Sequence, residues 1–332
     1  MFKEHIKYLA CPHCCVELTL SINEETNNQI KTGELFCTKC KKIFPIINFI
    51  PRFVTNNNYA DTFGFEWNTF NDTLYDEDLG TDIITRHRFF LETNWCKGED
   101  ELSNELILEV GCGNGRFTKH ALSTGATIVS LDYSNAVEAN FKKNGNNKNL
   151  LIVQGDIYNM PFKQNSFHKC FCIGVLQHTP DVYSAFMSLP KYLYSGGNLV
   201  IDVYKKPAWY KPWDMVRYVV RPFTTKLNHI TLFKLCKTYL NLMWPISKLV
   251  TKLPKGNLIN LTFLILHTDM LNTLPENKVK ELAYIELFDI LSPAYDTPQS
   301  LDTIEKWFKE AKLNNIKVHY GYNGIEGHGD KS

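Results

Sequence analysis

Two pairs of cysteines, Cys11-Pro-His-Cys14 and, 22 residues further on, Cys37-Thr-Lys-Cys40, place four thiols on two tight knuckles. Thiolates at this doubled spacing close a tetrahedron about Zn²⁺, and a segment of some fifty residues gains much of its folding free energy from that closure. Four free buried cysteines and an iron centre are the competing readings, but an iron centre needs an electron partner that nothing else in the chain supplies. Cys15, Cys96, Cys112, Cys170, Cys172 and Cys236 fall outside the pattern and read as small core hydrophobes. The second chemical feature is Glu109-Val-Gly111-Cys-Gly113-Asn-Gly115, whose glycines let a ligand approach the backbone. Asp132 follows 17 residues after Gly115, where a carboxylate accepts both hydroxyls of a ribose. Asp156, within Gln154-Gly155-Asp156-Ile157, is placed to accept from an exocyclic amine on a purine.

These residues need elements to hold them. Leu106–Val110, Thr127–Leu131, Leu150–Val153, Lys169–Ile173 and Asn198–Val203 read as buried strands. Helical stretches Phe117–Leu122, Asn135–Lys143 and Asp181–Leu193 lie between them, and the alternation predicts a parallel sheet with helices on both faces, an α/β fold. Each chemical residue then falls just past a strand, and the acids and glycines converge on one edge. Ser300 caps a last helix with Leu301, Ile304, Phe308 and Ala311 inward, and Tyr322-Asn323-Gly324 turns a closing hairpin. Asp61–Trp95 is aromatic-rich without a clean period and reads as a linker ending in helical turns.

Together Glu109, Gly111, Gly113, Asp132 and Asp156 resemble the S-adenosylmethionine site of class I methyltransferases, and Leu176-Gln-His178-Thr-Pro180 is similar to that family's segment after the fourth strand. The resemblance covers about residues 105–203 and 297–330. It implies a Rossmann-like seven-stranded sheet and S-adenosylmethionine as cofactor, with Ile157 beside Asp156 at the adenine. A doubly wound fold binding another nucleotide is the alternative. The cysteine segment resembles the zinc ribbon that precedes some bacterial methyltransferases and the small activator subunit of tRNA and protein methyltransferases, which implies a structural zinc. Phe63-Gly-Phe-Glu-Trp67 with Arg86-His-Arg-Phe89 resembles the segment leading into the cofactor domain of such enzymes, so that Arg86 pairs the methionine carboxylate and Trp67 covers the cofactor, or the two are a surface arginine and a packed tryptophan. Three departures stand out. His168 occupies a position where the family commonly has aspartate, and Cys15 and Lys41 follow their knuckles where glycine is common.

The expected division is a zinc ribbon at 1–55, a linker and cofactor cap at 56–104, the methyltransferase core at 105–203, a helical insertion at 204–296 and the closing helix and hairpin at 297–332. Net charge is only +1 over 332 residues, which argues against nucleic-acid binding by the molecule as a whole. The insertion is different: Lys205–Asn260 holds eleven lysines and arginines against one acid, Asp214. Helical projection gathers Lys234, Lys237, Asn241, Lys248 and Lys252, and sets Leu232, Leu235, Tyr239, Leu242, Met243, Ile246 and Leu249 largely opposite. Trp209, Tyr210, Trp213, Tyr218, Phe223 and Trp244 add interfacial aromatics, so the segment reads as contacting an anionic membrane or as a lid whose lysines face water. The longest apolar run, Asn257–Thr268, is too short to span a bilayer, and the charged N-terminus lacks a signal peptide; the expected location is cytoplasmic, with peripheral membrane contact.

The reading favours methyl transfer to a small-molecule, glycan or lipid-linked hydroxyl, with His178 and Tyr204 facing the site and His267, Asp289 and Tyr295 completing an acceptor pocket. Rivals are an RNA methyltransferase gripping RNA with its ribbon and a non-catalytic adaptor. Oligomeric state carries no sequence signal.

Overall fold

The computed structural model describes residues 1–55, 58–70, 84–208 and 212–332. Strands β1 (Leu18–Thr26), β2 (Gln29–Cys37), β3 (Ile43–Ile47) and β4 (Ile50–Pro51) form an antiparallel sheet. Its knuckles turn as the residue types foretell: Cys15 and Lys41 adopt positive φ, 56° and 63°, and their N–H groups donate to the carbonyls of Cys11 and Cys37. These left-handed turns fall on residues with a Cβ, which glycine would avoid. Among the remaining cysteines Cys15 is exposed, a correction to its expected core role, while Cys96, Cys112, Cys170, Cys172 and Cys236 are buried.

The second sheet has seven strands in the order β10-β11-β9-β8-β5-β6-β7. They are β5 (Leu106–Val110), β6 (Thr127–Asp132), β7 (Leu150–Gln154), β8 (Phe167–Ile173), β9 (Leu193–Val203), β10 (Leu313–Tyr320) and β11 (Ile325–Lys331). β5 through β9 run parallel, and the final hairpin pairs antiparallel with β9. Continuous apolar runs such as Leu150-Leu-Ile-Val153 suit strands covered on both faces. His168 takes over a structural contact at the base of β5, its Nδ1 accepting from the Leu106 N–H at 2.8 Å. Ser300 caps the last helix through the Thr303 N–H, with Ile304 and Phe308 fully buried.

The small sheet packs directly against the large one. Phe53 N–H donates to the Gln154 carbonyl and Ala10 N–H to that of Pro161. Arg52, buried, donates to Gln154 Oε1 at 2.7 Å and pairs with Glu138. Leu9, Ile30 and Leu35 of the ribbon belong to one continuous core with Val153 and Phe162. Each such side chain contributes about 1.5–3 kcal/mol.

Helices α1 (Asp61–Thr69) and α2 (Ile84–Thr93) lead into the sheet, and α3 (Arg116–Ser123), α4 (Val137–Asn144) and α5 (Val182–Ser188) flank it. Between β9 and α10 (Leu301–Glu310) stand α6 (Pro212–Thr224), α7 (His229–Val250), α8 (Gly256–Thr262) and α9 (Glu276–Leu291). On α7 the buried line is Leu232, Cys236, Leu240, Trp244 and Ser247, packed with Val279, Ala283 and Leu287 of α9. This corrects the expected apolar face: Leu235, Leu242 and Leu249 are 52%, 72% and 66% exposed. At about 100° per residue the helix divides into three sectors, one buried against α9, one apolar in solvent and one basic, the last two adjoining. Lys248 is held by Glu276 at 2.7 Å. Trp209, Tyr210 and Lys211 lie outside the described residues, as do the side chains of Trp213 and Asp214.

Candidate active site

The glycine turn after β5 curls over the neighbouring strand, with the Gly111 and Cys112 N–H groups donating to the Leu131 carbonyl. Gly111 sits at φ 81°, and a Cβ there would come within 2.2 Å of Val175. Gly113, at φ 51°, faces the Trp67 ring instead. Asp132, ending β6, accepts from the Gly113 N–H at 2.8 Å and from the Ser134 N–H and hydroxyl at 2.8 and 2.7 Å. Burial raises its carboxyl above the usual range, and those hydrogen bonds oppose the rise.

Above this turn lies a cavity of about 360 Å³ lined by Trp67, Gly111, Gly113, Asp132, Ile157, His178, Tyr204 and His267, together with residues that the sequence did not single out. Three residues expected at the cofactor stand apart from its lining. Glu109 is buried beneath the turn, accepting from Thr118 and Ser130 at 2.6 and 2.5 Å, and burial lifts its carboxyl to about 7. Asp156 caps a short turn by accepting from the Tyr158 N–H at 3.0 Å, while its neighbours Gly155 and Ile157 reach the cavity. Arg86 points toward Glu99, 3.6 Å away, and stacks on Phe90. Arg88 and Arg116 supply the cavity's guanidiniums instead. The geometric signal for Arg88 was present: Glu92 stands four residues on, one helical turn away, and the two are paired and buried.

At the other end, α1 and α9 bring in Glu66, Glu286 and Asp289. His178 Nδ1 lies 3.0 Å from the Tyr295 carbonyl, which can only accept, so Nδ1 carries the proton and Nε2 is left as an acceptor. Burial pushes its pKa down to about 4, keeping the ring neutral. Tyr295 thus serves through its backbone and does not line the cavity. Tyr204 is held as a phenol by burial and the nearby Asp289 and Glu286 charges. His267 Nε2 lies 3.7 Å from Glu286 Oε2; burial works to lower its pKa, but the bond and charge of Glu286 raise it overall. Burial, then the Glu286 charge, lifts Asp289 to about 7.

Away from the cavity, Cys11 Sγ lies 3.8 Å from Cys14 and 3.6 Å from Cys40, and Cys14 lies 3.8 Å from Cys37. A tetrahedron with Zn–S bonds of about 2.3 Å has edges of about 3.8 Å, so the four sulfurs fit the ion with no open position.

Residues 108–201 match the family described as a methyltransferase domain. The chain is 32% identical over 127 residues to the tRNA U34 carboxymethyltransferase of Nautilia profundicola, covering 36% of this chain and 41% of that protein. It is 30% identical over 148 residues to the sterol 24-C-methyltransferase of Pneumocystis carinii, covering 42% and 38%. Among solved structures, the phosphoethanolamine N-methyltransferase 2 of Haemonchus contortus in complex with S-adenosyl-L-methionine aligns at TM-score 0.42 and 16% identity, over 80% of this chain and 44% of that one. The chain spans about two fifths of the length of the two curated relatives.

Proposed function

We propose that the protein transfers a methyl group from S-adenosylmethionine to a hydroxyl of a small-molecule, glycan or lipid-linked acceptor. The observation that carries this reading is that a pre-oriented Asp132 carboxylate and the glycine turn open on the same cavity as His178, Tyr204 and His267. The cofactor would supply a methyl already activated on a sulfonium. Asp132 would hold the ribose hydroxyls, Ile157 the adenine face, and Trp67 would close over Gly113. The chain's remaining task is alignment of the acceptor oxygen and removal of its proton. Neutral His178, with Nε2 free to accept, is the group placed for that proton, and the Tyr204 phenol is a donor for orienting the acceptor. The four cysteines would hold a structural Zn²⁺.

Calorimetry with S-adenosylmethionine tests the first half; absence of binding by the zinc-loaded protein would sink it. Transfer of tritiated methyl to extracts separated into small-molecule, lipid and RNA fractions tests the second. A second reading, methylation of RNA, draws support from the tRNA-modifying relative. Label appearing in RNA alone, with RNA affinity falling steeply with salt, would select it. For the insertion, the adjoining exposed apolar and basic sectors of α7 support contact with an anionic membrane. Among the described residues no helix is long and apolar enough to cross one.

A further inference from the structure

The cavity end formed by α1 and α9 is rich in carboxyl groups. Glu66 is fully buried, and neither of its carboxylate oxygens has a hydrogen-bond partner. Phe65 and Phe288, 5.9 Å apart, bring its helix against α9, where Glu286 and Asp289 line the same space. Among the described residues the cavity presents four carboxylates, Glu66, Asp132, Glu286 and Asp289, against two guanidiniums. Arg88 is already engaged by Glu92 and Asp202, and His267 answers Glu286. Arg116 is shared: its charge is felt at Glu66, Glu286 and Asp289 alike, and Arg217 adds its charge at Glu286 and Asp289, which leaves Glu66 the least compensated of the three. Burial, then the Asp289 and Glu286 charges, holds the Glu66 carboxyl well above the usual carboxylate range, so it keeps its proton until a cation meets it and then ionises.

We propose that this end of the cavity seats a protonated amine of the acceptor, with Glu66 and Asp289 as its anionic partners. An ammonium offers three donors to the Glu66 oxygens, which lack them. The amine is the anchor, and the hydroxyl that receives the methyl lies toward His178. This rests on the reading that the glycine-turn end holds the cofactor.

The test is ligand-observed NMR on the full chain saturated with S-adenosylhomocysteine, using benzylamine and its neutral counterpart benzyl alcohol as probes. Benzylamine is expected to bind at least about tenfold more tightly. Glu66→Gln, near-isosteric, should erase that preference while holding S-adenosylhomocysteine affinity within about twofold, and Asp289→Asn should reduce it. Circular dichroism verifies that both variants fold. Equal binding of the two probes, or a preference surviving in both variants, overturns the proposal. A tenfold loss of S-adenosylhomocysteine affinity in Glu66→Gln also overturns it, because Glu66 would then belong to the cofactor. Selective amine binding by a wild type that takes no S-adenosylhomocysteine supports the amine seat and removes the cofactor reading. Cofactor binding without amine preference does the reverse.

Discussion

Asp132 is the side chain on which the cofactor reading turns, because its carboxylate is aimed by three hydrogen bonds before any ligand arrives. Asp132→Ala is expected to weaken S-adenosylmethionine binding by about 1.5–3 kcal/mol, the loss of a charge-assisted pair, measured by calorimetry. Glu109 acts from below and its effect is on stability. Its carboxyl is raised from the ordinary 4.5 to about 7 by burial, so between those values the folded chain binds more protons than the unfolded one. The favourable contribution is complete below pH 4.5 and is lost as pH rises through 7, at a cost of about 3 kcal/mol. Glu109→Gln should therefore melt close to wild type at pH 4.5 and above it at pH 8. A gap that does not grow with pH would show that Glu109 is not buried as described.

The elements differ in how they depend on their neighbours. Each knuckle is a local turn whose sulfurs meet only when β1 and β2 pair, so metal and hairpin support each other. Cys14→Ser should abolish stoichiometric zinc and lower the melting temperature, with S-adenosylmethionine affinity changed less than about threefold; elemental analysis and calorimetry check the two halves. Because the ribbon shares a core with β7 and Phe162, its loss is expected to be felt in the large sheet as well as locally. On α7 the leucines at 242 and 249 touch solvent, and Leu242→Ser with Leu249→Ser should leave thermal stability within about 0.5 kcal/mol, whereas Leu240→Ala in the buried line should cost about 2–5 kcal/mol.

For the molecule as a whole, a near-neutral chain carries its positive charge on one insertion. Lys234, Lys237 and Lys252 flank the exposed apolar sector, and each lysine near an anionic surface contributes about 1 kcal/mol. Reversing these three to Glu should remove co-sedimentation with phosphatidylserine vesicles at low salt while leaving cofactor affinity unchanged. Lys248 is excluded from that set because Glu276 already holds it. If wild type ignores the vesicles, the insertion acts as a lid, and its deletion should raise the acceptor's Michaelis constant.

The periodicity of the apolar runs, the knuckle spacing and the glycine turn were legible in one dimension because each is a local pattern: strands alternate with helices, paired thiols share a turn, and glycines mark positive φ. Asp132, Gly111 and Gly113 line the cavity and the closing hairpin pairs with β9, at the places that reading expected. Glu109, Arg86 and Asp156 stand apart from that lining and the apolar face of α7 differs from the expected one, since which side of a helix or turn meets the cavity depends on what packs against it, and α9 chose the Leu232–Trp244 line. Glu66 and Arg116 became visible only once α1 and α9 closed over the sheet edge, because residues such as Glu66 and Asp289, more than two hundred positions apart, carry no shared period and meet only through tertiary packing.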